Sequence, residues 1–132
     1  MRRRLSQEEK ERVTQTLRER LQEREEVRFA YLFGSFVLHG SFEDIDVAVY
    51  VAPEALQEKD SLTLAFELAD ALEQAVRLPV DVVVLNTAPL SLQFEAAQGR
   101  LLLARGEDVA DFVEQLTWRW WETEGLRWAA VQ

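Results

Sequence analysis

Two apolar runs in this chain carry aspartate where a buried β-strand would begin: DIDVAVYV, residues 44–51, and PVDVVVLN, residues 79–86. Side chains alternate across a strand, so Asp44 and Asp46 share one face while Ile45 and Val47 take the other. Asp81 stands in the same relation to Val80 and Val82. An unpaired carboxylate taken out of water is expensive. Asp44 alone reads as a solvated turn residue, but an aspartate inside VDVVVL does not. If the two strands pair side by side, all three carboxylates converge on one patch. Like charges at close range raise one another's pKa, and burial adds to the effect. A divalent cation removes that penalty, and three carboxylates with water are the hard oxygen donors that Mg²⁺ prefers. Two cations sharing a carboxylate at roughly 4 Å would form a two-metal phosphoryl-transfer site.

The segment LFGSFVLHGSFE leads into the first aspartate pair. Gly34 ends an apolar run, and a glycine there lets the backbone approach a ligand closely. Backbone N–H groups of the following turn, with the Ser35 hydroxyl, can hold phosphate oxygens. His39, the single histidine, lies in the same loop as a surface residue, a phosphate contact or a proton donor. No lysine or arginine occurs between Arg28 and Lys59. A bound triphosphate would therefore depend on Mg²⁺, backbone N–H groups, His39, or arginines from elsewhere such as Arg77, Arg100 or Arg105.

The surrounding pattern predicts eight main elements in the order α-β-β-α-β-α-β-α, an α/β (α+β) domain with a small mixed sheet flanked by helices. Ser6 and Glu9 have capping-box spacing and open a helix over residues 6–25, with Val13, Leu17 and Leu21 as its thin apolar stripe. Strands follow over 27–33 and 44–51. Asp60 or Ser61 caps a helix to Val76 whose apolar face is read as Leu62, Ala65, Phe66, Ala69, Leu72 and Val76. A third strand holds VDVVVLN, a helix runs from Pro89 to a C′ glycine at Gly99, and RLLLA is a fourth strand. The last helix spans 108–124. The 132 residues suit one domain, with a catalytic core over 27–105.

Here the motifs resemble a known family. GS, a short gap, DxD on a strand and a later lone Asp on another strand look like the DNA polymerase β-type nucleotidyltransferase superfamily. Size and order resemble its minimal members, and FEAAQGRLLLARGED looks like the segment after their third aspartate. The resemblance implies the nucleotidyltransferase fold. It implies Asp44, Asp46 and Asp81 as catalytic and metal ligands for two Mg²⁺ ions, and Gly34 and Ser35 as nucleotide contacts, to which His39 is added from its place in the loop. It implies transfer of a nucleoside monophosphate, AMP from ATP or another NTP, to a hydroxyl. Many minimal members pair with a HEPN-domain toxin as its antitoxin, so a HEPN-type partner is implied. A non-catalytic antitoxin and a small-molecule nucleotidyltransferase are the alternatives. The family commonly has about ten residues between the serine and the first aspartate; this chain has eight, Phe36 to Glu43. It often has an arginine before the loop glycine, where this chain has His39.

Charge and composition narrow the rest. A net charge of −9 disfavours nucleic-acid binding and favours a basic partner or a metal-bound anion. With no cysteine, disulfides and thiolate metal sites are excluded. No signal peptide and no membrane-spanning run are visible, so a cytoplasmic protein is expected. In DFVEQLTWRWWETEGLRW, Val109, Phe112, Val113, Leu116 and Trp120 share one stripe and face the core. Trp118 falls on the opposite, acidic side, with Trp121 and Trp128 on a flank, a candidate surface for a partner or for oligomerisation.

Overall fold

A computed structural model describes residues 2–125. Its centre is a four-stranded mixed sheet in the order β5-β4-β2-β6, built from β2 (Val27–Phe33), β4 (Ile45–Val51), β5 (Val80–Val84) and β6 (Arg100–Ala104). β2 runs antiparallel to β4 and β6, and β4 runs parallel to β5. A parallel pair needs a long crossover; helix α4 (Ser61–Val76) supplies it.

β2 is buried on both faces because helices cover both. Ala30 and Leu32 point to one layer with Val47 and Val49, against Leu17 and Leu21 of α1 (Gln7–Gln22) and Leu64, Leu68 and Leu72 of α4. Phe29, Tyr31 and Phe33 point the other way with Ala48, against Ala96 of α5 (Leu90–Ala97) and Phe112 and Leu116 of α6 (Asp108–Trp120). The alternation in VRFAYLF thus sorts small and aliphatic residues to one layer and aromatics to the other.

Local signals account for most element ends. The Ser6–Glu9 capping box is formed, with Glu9 N–H donating to Ser6 Oγ at 3.1 Å and Ser6 N–H to Glu9 Oε1 at 2.8 Å. α1 stops at Gln22, short of the expected Glu25. Arg105 reaches across to donate to the carbonyls of Gln22 and Val27, closing the helix end onto β2. α5 ends at Gln98, and Gly99 follows without a left-handed φ. Glycine is required there for space: a Cβ would lie 2.3 Å from the Leu32 carbonyl oxygen.

Short elements add to the expected order, among them two strands and two helical turns. β1 (Arg3–Arg4) pairs antiparallel with β3 (Ser41–Phe42), α2 (Ser35–Leu38) follows β2, and α3 (Ala55–Glu58) follows β4. The expected apolar face of α4 holds at Ala65, Ala69, Leu72 and Val76 and is corrected at two positions. Leu62 and Phe66 are each 66 % exposed, while Leu64 and Leu68 are buried. The helix carries apolar residues on more than one side, and the sheet selects the stripe through Leu64, Leu68 and Leu72. On α6, Phe112 and Leu116 are buried as expected, but Val113 is exposed, as are Trp118 and Trp121. Trp120 stacks on Phe94 with centroids 5.9 Å apart and on Trp121 at 5.8 Å. Trp128 lies outside the described residues. No helix among the described residues is long and apolar enough to cross a membrane.

The phase of α4 is tested by two truncations in urea unfolding. Leu68→Ala should cost about 2–5 kcal/mol, and Phe66→Ala should stay within about 0.5 kcal/mol of wild type.

Candidate active site

One row of residues crosses three strands at the edge of the sheet. Phe33, the last residue of β2, sits opposite Asp46 of β4, and Asp46 sits opposite Asp81 of β5. Asp44 precedes β4 by one residue and shares the face of Asp46. The expected convergence is present: carboxylate oxygens of Asp44, Asp46 and Asp81 lie within 4.8 Å of one another. The parallel register produces it, because parallel pairing starts β4 and β5 at the same edge, where each carries its aspartate. Ile45 N–H donating to the Pro79 carbonyl at 2.9 Å fixes that edge.

Asp46 is half-buried at the centre of the row and Asp81 is exposed. Burial, then the charges of Asp44, Asp81 and Glu95, push the Asp46 carboxyl up to about 6. The site therefore concentrates negative potential, and among the described residues no cation bears on the Asp46 carboxyl. Three carboxylate donors at this spacing, with one destabilised in its charged form, fit a divalent cation in donor type and charge.

Gly34 is bound to this arrangement. Its φ of +79° and ψ of −161° fall in a region essentially confined to glycine. A Cβ there would lie 2.2 Å from Asp46 Oδ2. The glycine of the GS pair thus makes room for a carboxylate as well as bending the chain into α2. Ser35, half-buried, begins that turn, and its carbonyl accepts from His39 N–H at 2.9 Å. His39 is exposed at the end of α2, in the same loop as Ser35 and Asp44.

Sequence reasoning missed two contributors. Glu95 of α5 bears on Asp46 and lines a cleft of about 270 Å³ with Gly34, Val37, Leu38, Phe94 and Gln98. Lys10 of α1 donates to the carbonyls of Phe36 and His39 at 2.8 and 2.9 Å, tying the end of α2 to α1. Neither carries a motif; both reach the loop only through packing of the helices. Of the arginines considered for phosphate, Arg100 is held by Glu11 at 2.8 Å and Arg105 closes α1. Arg77 is exposed at the C-cap of α4 with a φ of +61°.

A family model described as Polymerase beta, Nucleotidyltransferase matches residues 15–108. No curated protein matches the chain. Among solved structures, the chain is similar to a toxin–antitoxin MntA–HepT structure at 24 % identity, covering 96 % of each chain with a TM-score of 0.62. It is similar to a structure described as tri-AMPylated Shewanella oneidensis HEPN toxin in complex with MNT antitoxin, at 24 % identity, 89 % and 95 % coverage and a TM-score of 0.64. A toxin–antitoxin structure with AMP-PNP matches at 24 % identity, 92 % and 94 % coverage and a TM-score of 0.66. These likenesses establish the shared fold.

Two outcomes follow from the geometry. The Asp46 charge is disfavoured in the fold but not in the unfolded chain. Its stabilising contribution is therefore complete below the ordinary carboxylate range and is lost as pH rises through about 6. In thermal melts without metal, Asp46→Asn should exceed wild type at pH 7.5, and the gap should close as pH falls toward about 4. Mg²⁺ should raise the wild-type melting temperature and leave that of Asp46→Asn nearly unchanged. Gly34→Ala should lose roughly 2 kcal/mol in denaturant titration, and calorimetry should show its Mg²⁺ response abolished as Asp46 is displaced.

Proposed function

The chain belongs to the polymerase beta nucleotidyltransferase family, and from that premise we propose that it transfers AMP from ATP to a hydroxyl on a HEPN-type toxin, acting as its antitoxin. The convergence of Asp44, Asp46 and Asp81 within 4.8 Å, beside the Gly34–Ser35 turn, carries this reading. The fold neighbours support the choice of donor and acceptor, since one is described with an AMPylated HEPN toxin and another with AMP-PNP.

Asp44, Asp46 and Asp81 would hold Mg²⁺, two ions by family resemblance, which when bound supplies Lewis-acid polarisation and charge neutralisation at the phosphates. The chain's own residues account for the rest. Gly34 and Ser35 present backbone N–H groups and a hydroxyl to the outer phosphates. Asp81, exposed at the start of β5, takes the proton of the acceptor hydroxyl. The new bond joins that oxygen to the α-phosphorus, the bond to the bridging oxygen breaks, and pyrophosphate leaves with its negative charge. His39, exposed in the same loop, is placed to contact that leaving group. The protein would work as a single minimal nucleotidyltransferase domain in the cytoplasm, where ATP is supplied. Trp118 on α6 and Trp121 just past its end lie exposed among acidic residues and offer a basic toxin surface its aromatic contacts.

A second reading is neutralisation by contact alone. The absence of lysine and arginine from residues 29–58 favours it, since the phosphate loop then has no cation of its own. Labelled ATP and Mg²⁺ with the purified HEPN partner separate the two. Label should appear on the partner with wild type and fall at least about 10³-fold with Asp44→Ala/Asp46→Ala. Toxin neutralisation that survives the double substitution, with no label from wild type, establishes the contact-only antitoxin instead.

A further inference from the structure

The phosphate loop lacks a cation in sequence, yet the fold delivers cations to it. β1, residues Arg3–Arg4, pairs with β3 in the middle of that loop, with Arg3 opposite Phe42 and Arg4 opposite Ser41. A two-residue ribbon is weak by itself, and two further contacts hold it. Arg2 donates from Nε to Ser41 Oγ at 2.9 Å and from Nη2 to the Ser41 carbonyl at 2.8 Å. On the other side of the arm, Leu5 packs into the core and Ser6 caps α1. The loop strand is anchored in turn by Phe42, which is fully buried and meets Phe36 edge-on at 4.9 Å.

The side chains of Arg3 and Arg4 are then left over. Both residues are exposed, and among the described residues neither guanidinium has a hydrogen-bond or ion-pair partner. The Arg4 guanidinium is placed at the loop itself, with Nη1 3.6 Å from where a Gly40 Cβ would stand. His39 N–H donating to the Ser35 carbonyl puts Gly40 just past the single helical turn that begins at Ser35. Arginine suits this position because its planar, permanently charged fork matches phosphate oxygens.

We propose that Arg4, carried onto the Ser35–Asp44 loop by the β1–β3 ribbon, binds the outer phosphates of the nucleoside triphosphate. This rests on the nucleotidyl-transfer reading and names a guanidinium for the loop, where Lys10 is already spent on the Phe36 and His39 carbonyls. Arg2 is the positioning residue that fastens the arm to Ser41. The arm makes phosphate binding depend on a segment distant in sequence from the loop, so the site is complete only when the β1–β3 ribbon is formed.

Calorimetry on the full chain tests this with Mg²⁺·ATP and with AMP as the two probes. Arg4→Ala should weaken Mg²⁺·ATP binding about tenfold and leave AMP binding within about twofold, because AMP lacks the outer phosphates. Arg4→Lys should recover part of the loss. Arg20→Ala removes the same charge at the far end of α1 and should bind Mg²⁺·ATP as wild type does. Equal Mg²⁺·ATP affinity for wild type and Arg4→Ala overturns the proposal, as does an equal loss for ATP and AMP or an equal loss in the Arg20→Ala control. Wild type that binds no Mg²⁺·ATP overturns the nucleotidyl-transfer reading itself, and this inference with it.

Discussion

The contact between Asp46 and Gly34 is the constraint on which the rest of the site depends. Asp46 stands at the centre of the row Phe33–Asp46–Asp81, between an antiparallel and a parallel neighbour. Its carboxylate occupies the space a Cβ at position 34 would fill. The same glycine turns the chain out of β2 and into α2. A single contact therefore couples the bend of the phosphate turn to the position of the central carboxylate. Gly99 plays a related part on the other side of β2, where its missing Cβ leaves room for the Leu32 carbonyl and the Phe33 side chain. The end of β2 is thus gripped by close backbone packing on both sides, which holds the row in register.

Half-burying Asp46 and setting two further carboxylates beside it costs stability; burial first and the neighbouring charges second push its carboxyl up. The fold offsets that cost with a sheet whose central strands are covered on both faces. Ile45, Val47 and Val49 are fully buried directly behind the aspartates, in the layer closed by α1 and α4. The strand that presents Asp46 to solvent on one face is thereby anchored by its other face. This is the physical meaning of the DxD pattern: alternate positions of one strand carry the site and its support.

How much of this was legible in the sequence depended on the range of the signal. β2 and β6 are present over the expected residues, because apolar alternation and flanking glycines are local. The capping box and the Asp60 cap are likewise local and present. The convergence of the aspartates needed one assumption, that β5 lies beside β4, and the pairing register supplies it. The face of α4 differs from expectation only at Leu62 and Phe66, which offer as good a stripe as Leu64 and Leu68; only the position of the sheet decides between them. The β1–β3 ribbon, Lys10 and Glu95 were invisible for a stronger reason. Each acts on the loop from an element far away in sequence, and no spacing encodes that.

The same distinction bears on the electrostatics. A net charge of −9 describes the whole surface, whereas an anionic ligand responds to charge within about a Debye length, roughly 8–10 Å. Near the phosphate turn the balance is set by few groups: the carboxylates that a cation neutralises, and the arginines the arm brings to Ser41 and Gly40. Most other ion pairs lie away from the turn. Arg12–Glu8, Arg20–Glu23 and Lys59–Glu67 are exposed pairs along or beside helices, and such pairs contribute little to stability. The Arg4 guanidinium at Gly40 therefore suits a ligand that brings its own negative charge. An acidic protein can bind an acidic nucleotide on this plan, because positive charge is needed only where the phosphates sit.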